Sequence, residues 1–484
     1  MLSTIVIFGA SGDLTGRKLL PALYELYRKG RLPGETRIVG FSRTRFSHEA
    51  WRDQLAASTE RFLGSRFDRS AWDAFAPSLF YHPGDVGQAG DFLSLKDFLD
   101  ERDGRSGATR VYYLATAPQF YEPAVKHLGV AGLAQEGGLW RRIVVEKPFG
   151  ADLATARRLN AALHHVFDER QIYRIDHYLG KETVQNVLVF RFANAIFEPI
   201  WNRNYVSHVE ITAAEAETVG HRGGYYDSAG VLRDMFQNHL LQLLALSAME
   251  APARFEADAV RDEKVKVLRA IRPMQPEDVA RDTLRGQYAG YREAPGVAPA
   301  SSTDTFAAVK LHLDNWRWQG VPFFLRSGKA MSCASTQIVI QFRQPPLMLF
   351  EGGPRSPHEA NRLVIQIQPA EGIQLHFQTK VPDAGMQLRL TDLNFRFQER
   401  FSAAMPEAYQ RLLLDVLQGD ASLFARSDEV ELAWGIIDPI RTAWSATDQP
   451  PLLTYLPGNW GPLESLSWIH RHGHQWFDSC PVLH

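Results

Sequence analysis

The apolar residues in the first third of the chain alternate between short solid runs and stretches at helical spacing. A solid run such as Thr4–Phe8 is typical of a strand covered on both faces of a sheet. Leu14–Arg28 carries leucines three and four positions apart, which predicts a helix that ends before Gly30. The same patterns predict strands at Arg37–Phe41, Leu79–His82, Arg110–Ala115 and Arg142–Val145, and helices at Ser47–Leu63 (capped by Ser47), Asp91–Arg102, Tyr121–Leu133 and Asp152–Phe167. This alternation predicts an α/β domain over residues 1–176 with a doubly wound, mostly parallel sheet.

After residue 176 the alternation stops. Val231–Met249 is long and rich in apolar residues, which predicts one helix. Farther on, strand-like segments follow one another with short connections, a pattern that favours an antiparallel sheet. These segments are Thr283–Tyr288, Thr305–His312, Pro322–Arg326, Gln337–Phe342, Arg362–Gln368 and Gln374–Thr379, and helices return at Pro406–Gly419 and Asp428–Ile437. We predict a larger α+β domain over residues 177–484 with a big, mainly antiparallel sheet.

Charge and composition exclude several classes of protein. The 53 Lys and Arg residues nearly cancel the 55 Asp and Glu residues, which argues against a general nucleic-acid binder. No window approaches the roughly 20 apolar residues of a membrane span. Met1–Ala10 lacks a basic start and a cleavage-like site, so we predict a buried strand and a cytoplasmic location. Cys333 and Cys480 are too few for a disulfide scaffold or a tetrahedral zinc site, and we expect no metal.

A glycine-containing turn separates the first predicted strand from the first predicted helix. Its sequence is Gly9-Ala10-Ser11-Gly12-Asp13-Leu14. Glycines here would let the backbone approach a pyrophosphate closely, and the following helix would offer N–H groups and its positive dipole end. The spacing departs from G-x-G-x-x-G, and a tight turn capped by Asp13 is the alternative. We predict that residues 9–14 contact a dinucleotide cofactor.

The end of the second predicted strand indicates which dinucleotide is bound. An NAD site usually places an acid there for the ribose 2′-OH, whereas an NADP site places an arginine near the 2′-phosphate. Here the strand runs into Ser42-Arg43-Thr44-Arg45, which contains two guanidiniums and no acid. A guanidinium can donate two parallel hydrogen bonds to a phosphate. We predict NADP, with NAD as a weaker alternative; a solvated basic loop is the competing interpretation.

Two further polar segments follow predicted strands. In Glu146-Lys147-Pro148-Phe149-Gly150, the lysine could donate to the nicotinamide or to a substrate hydroxyl, and a surface ion pair with Glu146 is the alternative. The segment from Arg174 to Glu182 is the densest polar stretch in the chain. If it is helical from His177, then His177 and Lys181 share a face and could hold a compact dianion such as a sugar phosphate. A solvated pair of surface residues is the alternative.

The long predicted helix contains Asp234-Met235-Phe236-Gln237-Asn238-His239. Asp234 and Asn238 would share one face, and His239 would share another with apolar residues. A histidine in such surroundings is often a satisfied core residue. Asp176, at the junction of the two predicted domains, is a possible carboxylate partner that would make His239 a general base.

At these residues the chain resembles the glucose-6-phosphate dehydrogenase family, and the resemblance extends over nearly its whole length. Besides the motifs above, the resemblance is carried by Arg191–Arg203, Gly223–Asp227, Arg233–Gln242, Leu325–Ala330 and the late Tyr455 and Trp460-Gly461-Pro462. It implies a Rossmann domain followed by a β+α domain with a large antiparallel sheet. It also implies NADP-linked oxidation of glucose 6-phosphate at C1 to the 6-phosphoglucono-lactone, the first oxidative step of the pentose phosphate pathway.

The resemblance implies roles for individual residues. His239 matches the general base, and Asp176 matches its carboxylate partner. Arg43 matches the arginine of the 2′-phosphate, and Asp85 and Val86 are also predicted cofactor contacts. The predicted substrate contacts are Lys147 (also near the nicotinamide), His177, Tyr178, Lys181, Glu215, Asp234 and Lys329. Subunits are expected to pair through the large sheet, as a homodimer or homotetramer.

One departure and two alternatives qualify this interpretation. Many family members carry a second cation shortly after the position of Lys329, whereas Met331-Ser332-Cys333-Ala334-Ser335 has none. A different oxidoreductase of the broader sugar class that shares Glu-Lys-Pro would explain residues 1–150 but not 174–182. A non-catalytic sensor on the same fold would have no need for His239 and Asp176.

Overall fold

The computed structural model describes residues 2–104, 106–347, 349–350, 360–400, 406–446 and 449–480. The chain forms two compact units. The first unit comprises Met1–Lys181, Arg254–Arg261 and Pro406–Glu431; the second comprises Glu182–Ala253, Asp262–Met405 and Leu432–His484. This division differs from the predicted cut at residue 176, because two later segments pack with the first unit.

The first unit is built on a six-stranded parallel sheet in the order β3-β2-β1-β4-β5-β6. Its strands are β1 (Ser3–Phe8), β2 (Thr36–Ser42), β3 (Leu79–Pro83), β4 (Thr109–Leu114), β5 (Arg141–Glu146) and β6 (Ile172–Ile175). Both central strands, β1 and β4, are buried at every position. The doubly wound parallel sheet predicted from the solid apolar runs is therefore confirmed, with β6 as a strand that the prediction omitted.

Helices connect these strands. They are α1 (Leu20–Arg28, preceded by a π-helical turn at Thr15–Leu19), α2 (His48–Leu63), α3 (Arg69–Phe75), α4 (Ala89–Asp103), α5 (Tyr121–Val130) and α6 (Leu153–His164). The predicted cap of α2 is confirmed, because the Ser47 hydroxyl accepts a hydrogen bond of 3.1 Å from the Ala50 N–H. The prediction omitted α3, which begins at its own cap, Asp68.

The second unit contains a nine-stranded sheet in the order β14-β13-β12-β11-β7-β10-β9-β8-β15. Its strands are β7 (Val206–Ala214), β8 (Thr283–Tyr288), β9 (Phe306–His312), β10 (Pro322–Gly328), β11 (Ser335–Phe342), β12 (Arg362–Gln368), β13 (Gly372–Lys380), β14 (Leu388–Arg396) and β15 (Leu452–Tyr455). Two strand pairs, β7 with β10 and β8 with β15, are parallel, and the others are antiparallel. The large, mainly antiparallel sheet is confirmed.

The remaining helices are α7 (Glu182–Phe192), α8 (Gly223–Val231), α9 (Leu241–Ala248), α10 (Ala257–Ala270), α11 (Pro276–Asp282), α12 (Phe397–Arg400), α13 (Ala408–Gln418), α14 (Ser427–Ala446) and α15 (Glu464–Arg471). A π-helical stretch, Leu232–Leu240, leads directly into α9, so the long predicted helix is present in two geometries. No helix in the described part of the chain is both long and apolar enough to cross a bilayer.

A disulfide joins Cys333 to Cys480 in the second unit, with their Cα atoms 6.0 Å apart. The sequence analysis did not predict this bond. Its two partners lie 147 residues apart in sequence, and no local pattern connects them. Disulfides persist mainly in oxidising compartments, so this pair does not support the predicted cytoplasmic location.

Candidate active site

The polar motifs of the first unit follow neighbouring strands at one edge of its sheet. Phe8 pairs with Phe41 and Leu114, and Glu146 pairs with Ile175. Because these strands are parallel, the residues after them emerge along the same edge. The segments that emerge there begin at Gly9, Arg43, Ala115, Lys147 and Asp176. Ligands of open α/β sheets bind at this carboxyl edge. The fold therefore brings the predicted cofactor segments to the same edge of the sheet.

A cavity of about 300 Å³ lies at this edge. The predicted cofactor residues that line it are Gly9, Ser11, Gly12, Arg43, Asp85 and Val86. Sequence reasoning missed Ser42, Thr44, Gly84, Ala115, Thr116, Ala117 and Phe120, which also line it. The residues from Ala115 to Ala117 could have been predicted as cofactor contacts, because they directly follow the carboxyl end of β4.

Four predicted cofactor residues do not line this cavity. Ala10 is buried, and its carbonyl accepts a hydrogen bond of 3.3 Å from the Trp51 indole. Asp13 is exposed and forms an ion pair of 3.1 Å with Arg17 on the next helical turn. Leu14 and Lys147 are the other two.

Gly9 shows why the turn after β1 requires glycine. Its φ of +87° lies in the left-handed region, which glycine adopts without steric cost. A Cβ on Gly9 would lie 2.3 Å from the Ala115 carbonyl oxygen, which is a clash with backbone. The turn thus lets β1 and the end of β4 approach closely beneath the cavity, as a phosphate-binding turn must.

Hydroxyl groups continue the polar lining beside Arg43. The Ser42 hydroxyl donates to Ser11 Oγ at 3.0 Å, and the Thr44 hydroxyl donates to the same atom at 3.2 Å. Arg43 lies between Ser42 and Thr44 and is exposed. A guanidinium in this place is accessible to an anionic ligand in the cavity, and no carboxylate of the β2–α2 connection competes for it.

Glu146 is not a surface ion-pair partner of Lys147. The Tyr113 and Tyr409 hydroxyls donate to its Oε1 at 2.6 and 3.1 Å, and its side chain is buried. Burial raises the pKa of Glu146. The alternative of a solvated Glu–Lys pair is therefore wrong, and Glu146 instead fixes the end of β5 from which Lys147 emerges.

The segment after β6 is a series of turns, and the predicted helix from His177 is wrong, since α7 begins only at Glu182. The physical reason is local. The Asp176 carboxylate accepts the Tyr178 N–H at 2.9 Å, which offers the backbone an alternative to helical hydrogen bonds. The Lys181 N–H then donates to the Tyr178 carbonyl at 3.1 Å and closes a second turn.

These turns still keep the predicted phosphate-binding side chains together. The Lys181 ammonium lies 4.0 Å from the centroid of the Tyr178 ring, and the His177 and Tyr178 rings are 5.1 Å apart. His177 and Lys181 are half-buried. Gly180 packs closely against the start of α13, because a Cβ there would lie 2.7 Å from the Ala408 carbonyl oxygen.

A second cluster lies in the second unit, where β7 and β10 end side by side. Ala214 pairs with Gly328, so the next residues, Glu215 and Lys329, are neighbours. The Lys329 ammonium lies 2.5 Å from the Glu215 carboxylate and 3.9 Å from that of Asp234. All three predicted substrate contacts of this unit are therefore brought together.

The π-helical stretch Leu232–Leu240 connects this cluster to His239. In π-helical geometry the hydrogen bonds run from residue i to i+5, so His239 lies about one wide turn after Asp234. The predicted sharing of a face by Asp234 and Asn238 assumed an ordinary helix. His239 is buried, and its backbone N–H donates to the Asn238 side chain at 2.6 Å. It belongs to the second unit, whereas its predicted partner Asp176 belongs to the first.

The parallel sheet with its glycine-lined cavity defines a dinucleotide-binding protein, and comparison with known proteins narrows this class. The family model described as "Glucose-6-phosphate dehydrogenase, NAD binding domain" matches residues 6–186, and the C-terminal-domain model of the same family matches residues 188–477. The chain belongs to the glucose-6-phosphate dehydrogenase family. Its Rossmann domain therefore binds a nicotinamide dinucleotide.

Individual relatives agree with this assignment. The chain is 46% identical to glucose-6-phosphate 1-dehydrogenase of Treponema pallidum, over 99% of this chain and 96% of the relative. It is 46% identical to that of Mycolicibacterium smegmatis, over 97% and 96%. Among solved structures, the Mycobacterium avium enzyme matches with a TM-score of 0.87 at 37% identity, covering 99% of both chains. A glucose-6-phosphate dehydrogenase in complex with glucose 6-phosphate matches with a TM-score of 0.90 at 35% identity, covering 98% of both.

Proposed function

We propose that this chain oxidises D-glucose 6-phosphate at C1 to 6-phospho-D-glucono-1,5-lactone, with NADP as hydride acceptor. The observation that carries the proposal is the cluster of Glu215, Asp234 and Lys329. Asp234 lies on the same π-helical stretch as His239. Such a cluster offers both charges to sugar hydroxyls, and the stretch that carries Asp234 also carries the proposed base. Relatives at 46% identity bear the name of this activity, which supports the same reaction here.

The chemistry requires a base for the C1 hydroxyl proton and an acceptor for the C1 hydride. His239 takes the proton on a ring nitrogen as the C1–O bond gains double-bond character. Asp176 stabilises the imidazolium that results. The nicotinamide, when bound, accepts the hydride at C4. The substrate loses one proton and one hydride, and the lactone carbonyl is the product.

The other residues bind and orient the sugar. His177, Tyr178 and Lys181 hold the 6-phosphate, while Glu215 and Asp234 accept hydrogen bonds from sugar hydroxyls. Lys329 lies between those two acids, and Lys147 donates near both the sugar and the nicotinamide. Binding the phosphate far from C1 helps to hold the reacting end in position, so its binding energy contributes to the rate.

The proposal is tested by mixing the purified chain with NADP and glucose 6-phosphate and following the absorbance of reduced nicotinamide. We expect rapid reduction with glucose 6-phosphate and little with free glucose. A sensor would bind glucose 6-phosphate without reducing NADP. An enzyme of the broader sugar class would reduce NADP with another sugar and leave glucose 6-phosphate unchanged; either result would overturn the proposal.

We expect Arg43→Ala to discriminate between the two dinucleotides. Losing a charge-assisted hydrogen bond costs about 1.5–3 kcal/mol, so KM for NADP should rise by roughly ten- to hundredfold. KM for NAD should change little, because NAD lacks the 2′-phosphate. Initial rates with each cofactor measure this, and Arg45→Ala, which changes an arginine outside the cavity lining, is the matched control. Equal losses for both cofactors in Arg43→Ala would remove Arg43 from the 2′-phosphate site.

We further propose that subunits pair through the second unit's sheet, as a homodimer or homotetramer. The edge strand β14 is largely exposed and carries Leu393, which is 61% exposed, and Phe395, which is 36% exposed. A long edge strand with exposed apolar side chains invites pairing with another chain. Light scattering at micromolar concentration should give at least the dimer mass. A monomer would contradict the proposal, and Leu393→Asp should weaken the assembly while Leu93→Asp in α4 should not.

A further inference from the structure

Tyr455 has a buried hydroxyl group beside a predicted substrate residue, and the reaction proposed above gives this hydroxyl no role. Tyr455 is the last residue of β15 and is 3% exposed. Its hydroxyl donates a hydrogen bond of 2.7 Å to the Lys329 carbonyl. Burial raises the pKa of Tyr455, so the hydroxyl keeps the proton that it donates. Tyr455 therefore contacts Lys329 through the backbone of that lysine.

Thr305 fixes the direction of this hydrogen bond. Its Oγ1 lies 3.1 Å from the Tyr455 hydroxyl oxygen. A phenolic hydroxyl has one hydrogen, and that of Tyr455 points to Lys329, so the Thr305 hydroxyl is the donor in this pair. Thr305 Oγ1 also accepts the Tyr288 N–H at 2.9 Å. The hydrogen bonds therefore run in one direction, from the end of β8 through two side-chain hydroxyls to the Lys329 carbonyl.

The backbone on both sides of Lys329 is held as well. The Lys329 N–H donates to the Thr305 carbonyl at 2.9 Å, and the Ala330 N–H donates to the Glu217 carbonyl at 2.9 Å. The φ of Ala330 is +50°, in the left-handed region, which a residue with a Cβ adopts only where its surroundings hold it there. The Ala330 carbonyl accepts the Gly458 N–H at 2.9 Å. The backbone from which the Lys329 side chain extends is therefore fixed.

The Lys329 side chain depends on this fixed backbone because its ammonium lies close to two carboxylates. The ammonium is 2.5 Å from the Glu215 carboxylate and 3.9 Å from that of Asp234. It also lies 5.3 Å from the centroid of the Tyr226 ring, and the side chain is 12% exposed. Interactions between charges change with distance. A shift of the backbone would therefore change how the ammonium is divided between the two acids and a bound sugar.

We propose that Tyr455 is a positioning residue of the sugar site, and that its hydroxyl holds Lys329 so that the ammonium reaches a hydroxyl group of the sugar. This inference rests on the proposed function, in which Lys329 is a substrate contact. Tyr455 acts through Lys329, because its hydroxyl is directed at the carbonyl of that residue. Removing the hydroxyl should therefore weaken sugar binding only while the Lys329 ammonium is present.

The test is a calorimetric titration of the full chain with glucose 6-phosphate in the absence of cofactor, so that binding is measured without turnover. Tyr455→Phe removes only the hydroxyl and should weaken binding by about three- to tenfold, the equivalent of one neutral hydrogen bond. Lys329→Met should weaken binding further. In the Lys329→Met chain, Tyr455→Phe should cause no additional loss, whereas a tyrosine that only supports the fold would cause the same loss in both chains.

Two controls separate positioning from stability. Tyr112 is a buried tyrosine of the first unit whose hydroxyl donates to the Leu133 carbonyl, also at 2.7 Å. Tyr112→Phe should lower the melting temperature about as much as Tyr455→Phe and leave sugar binding unchanged. Thr305→Ser keeps the hydroxyl that orients Tyr455 and should bind the sugar like the unaltered chain. Thr305→Val should bind it as weakly as Tyr455→Phe, and this pair decides the question if Tyr455→Phe fails to fold.

Unchanged binding in folded Tyr455→Phe or in Lys329→Met would overturn the proposal, as would equal losses from Tyr455→Phe with and without the Lys329 ammonium. The assay of NADP reduction tests the proposed function separately. A chain whose variants bind glucose 6-phosphate in the expected order, but which does not reduce NADP, would leave the role of Tyr455 intact and overturn the reaction. Absence of glucose 6-phosphate binding to the unaltered chain would overturn both.

Discussion

Replacing His239 by Asn should lower kcat by about 10²–10⁴, the usual cost of removing a general base. The substitution keeps polarity and approximate size but removes the basic ring nitrogen. The dissociation constants of glucose 6-phosphate and NADP should stay within a few-fold, since the side chain acts on the proton and contributes little to ground-state binding. Steady-state kinetics together with equilibrium binding measure the two effects separately.

Two companion variants sharpen this prediction. Asp176→Asn should give a smaller loss of kcat, because the base remains while its orientation and the stabilisation of imidazolium are lost. His470→Asn changes an exposed histidine of α15 and should leave kcat unaltered. If the folded His239→Asn protein keeps a substantial fraction of the original kcat, His239 is a core histidine and the base lies elsewhere.

Replacing Lys181 by Ala should reduce the preference for the phosphorylated sugar by roughly ten- to hundredfold, which corresponds to the loss of one charge-assisted contact of about 1.5–3 kcal/mol. Lys181 is half-buried and lies over the Tyr178 ring, so its ammonium is held in one place. The quantity to measure is kcat/KM for glucose 6-phosphate divided by that for free glucose. His177→Ala should lower the same ratio.

The matched control is Lys96→Ala, which removes an exposed lysine of α4 that forms an ion pair with Asp100. It should leave the ratio unchanged. If the ratio survives in both Lys181→Ala and His177→Ala, the phosphate is held by other residues. A fall in activity toward both sugars alike would instead indicate damage to the fold.

The central strands β1 and β4 of the first unit's sheet could be predicted from sequence because they are covered on both faces. Such strands consist almost entirely of apolar residues, and their ends are marked by polar motifs. The central strand β7 of the second unit escaped prediction, although nearly all of it is buried. It contains His208 and Glu210, whose side chains lie 3.2 Å apart and satisfy each other within the protein. Because these two polar side chains satisfy each other inside the protein, the strand can be buried although its sequence is not a solid apolar run.

The candidate site was predictable as far as its residues are local in sequence. The turn at Gly9 and the segment after β6 each carry their chemistry within a few positions. The helix expected from His177 failed because the Asp176 side chain competes for a backbone N–H, which residue spacing does not reveal. The bond between Cys333 and Cys480 depends on long-range packing. No pattern within a single segment encodes it.

In the proposed reaction, the C1 hydride of glucose 6-phosphate passes to NADP on this chain. The most direct measurement uses glucose 6-phosphate carrying deuterium at C1, with mass spectrometry of the NADPH formed. We expect each NADPH to gain the deuterium at C4 of the nicotinamide, and the sugar product to be the unlabelled lactone or its hydrolysis product. NADPH without deuterium, or deuterium retained at C1 of the sugar, would contradict it.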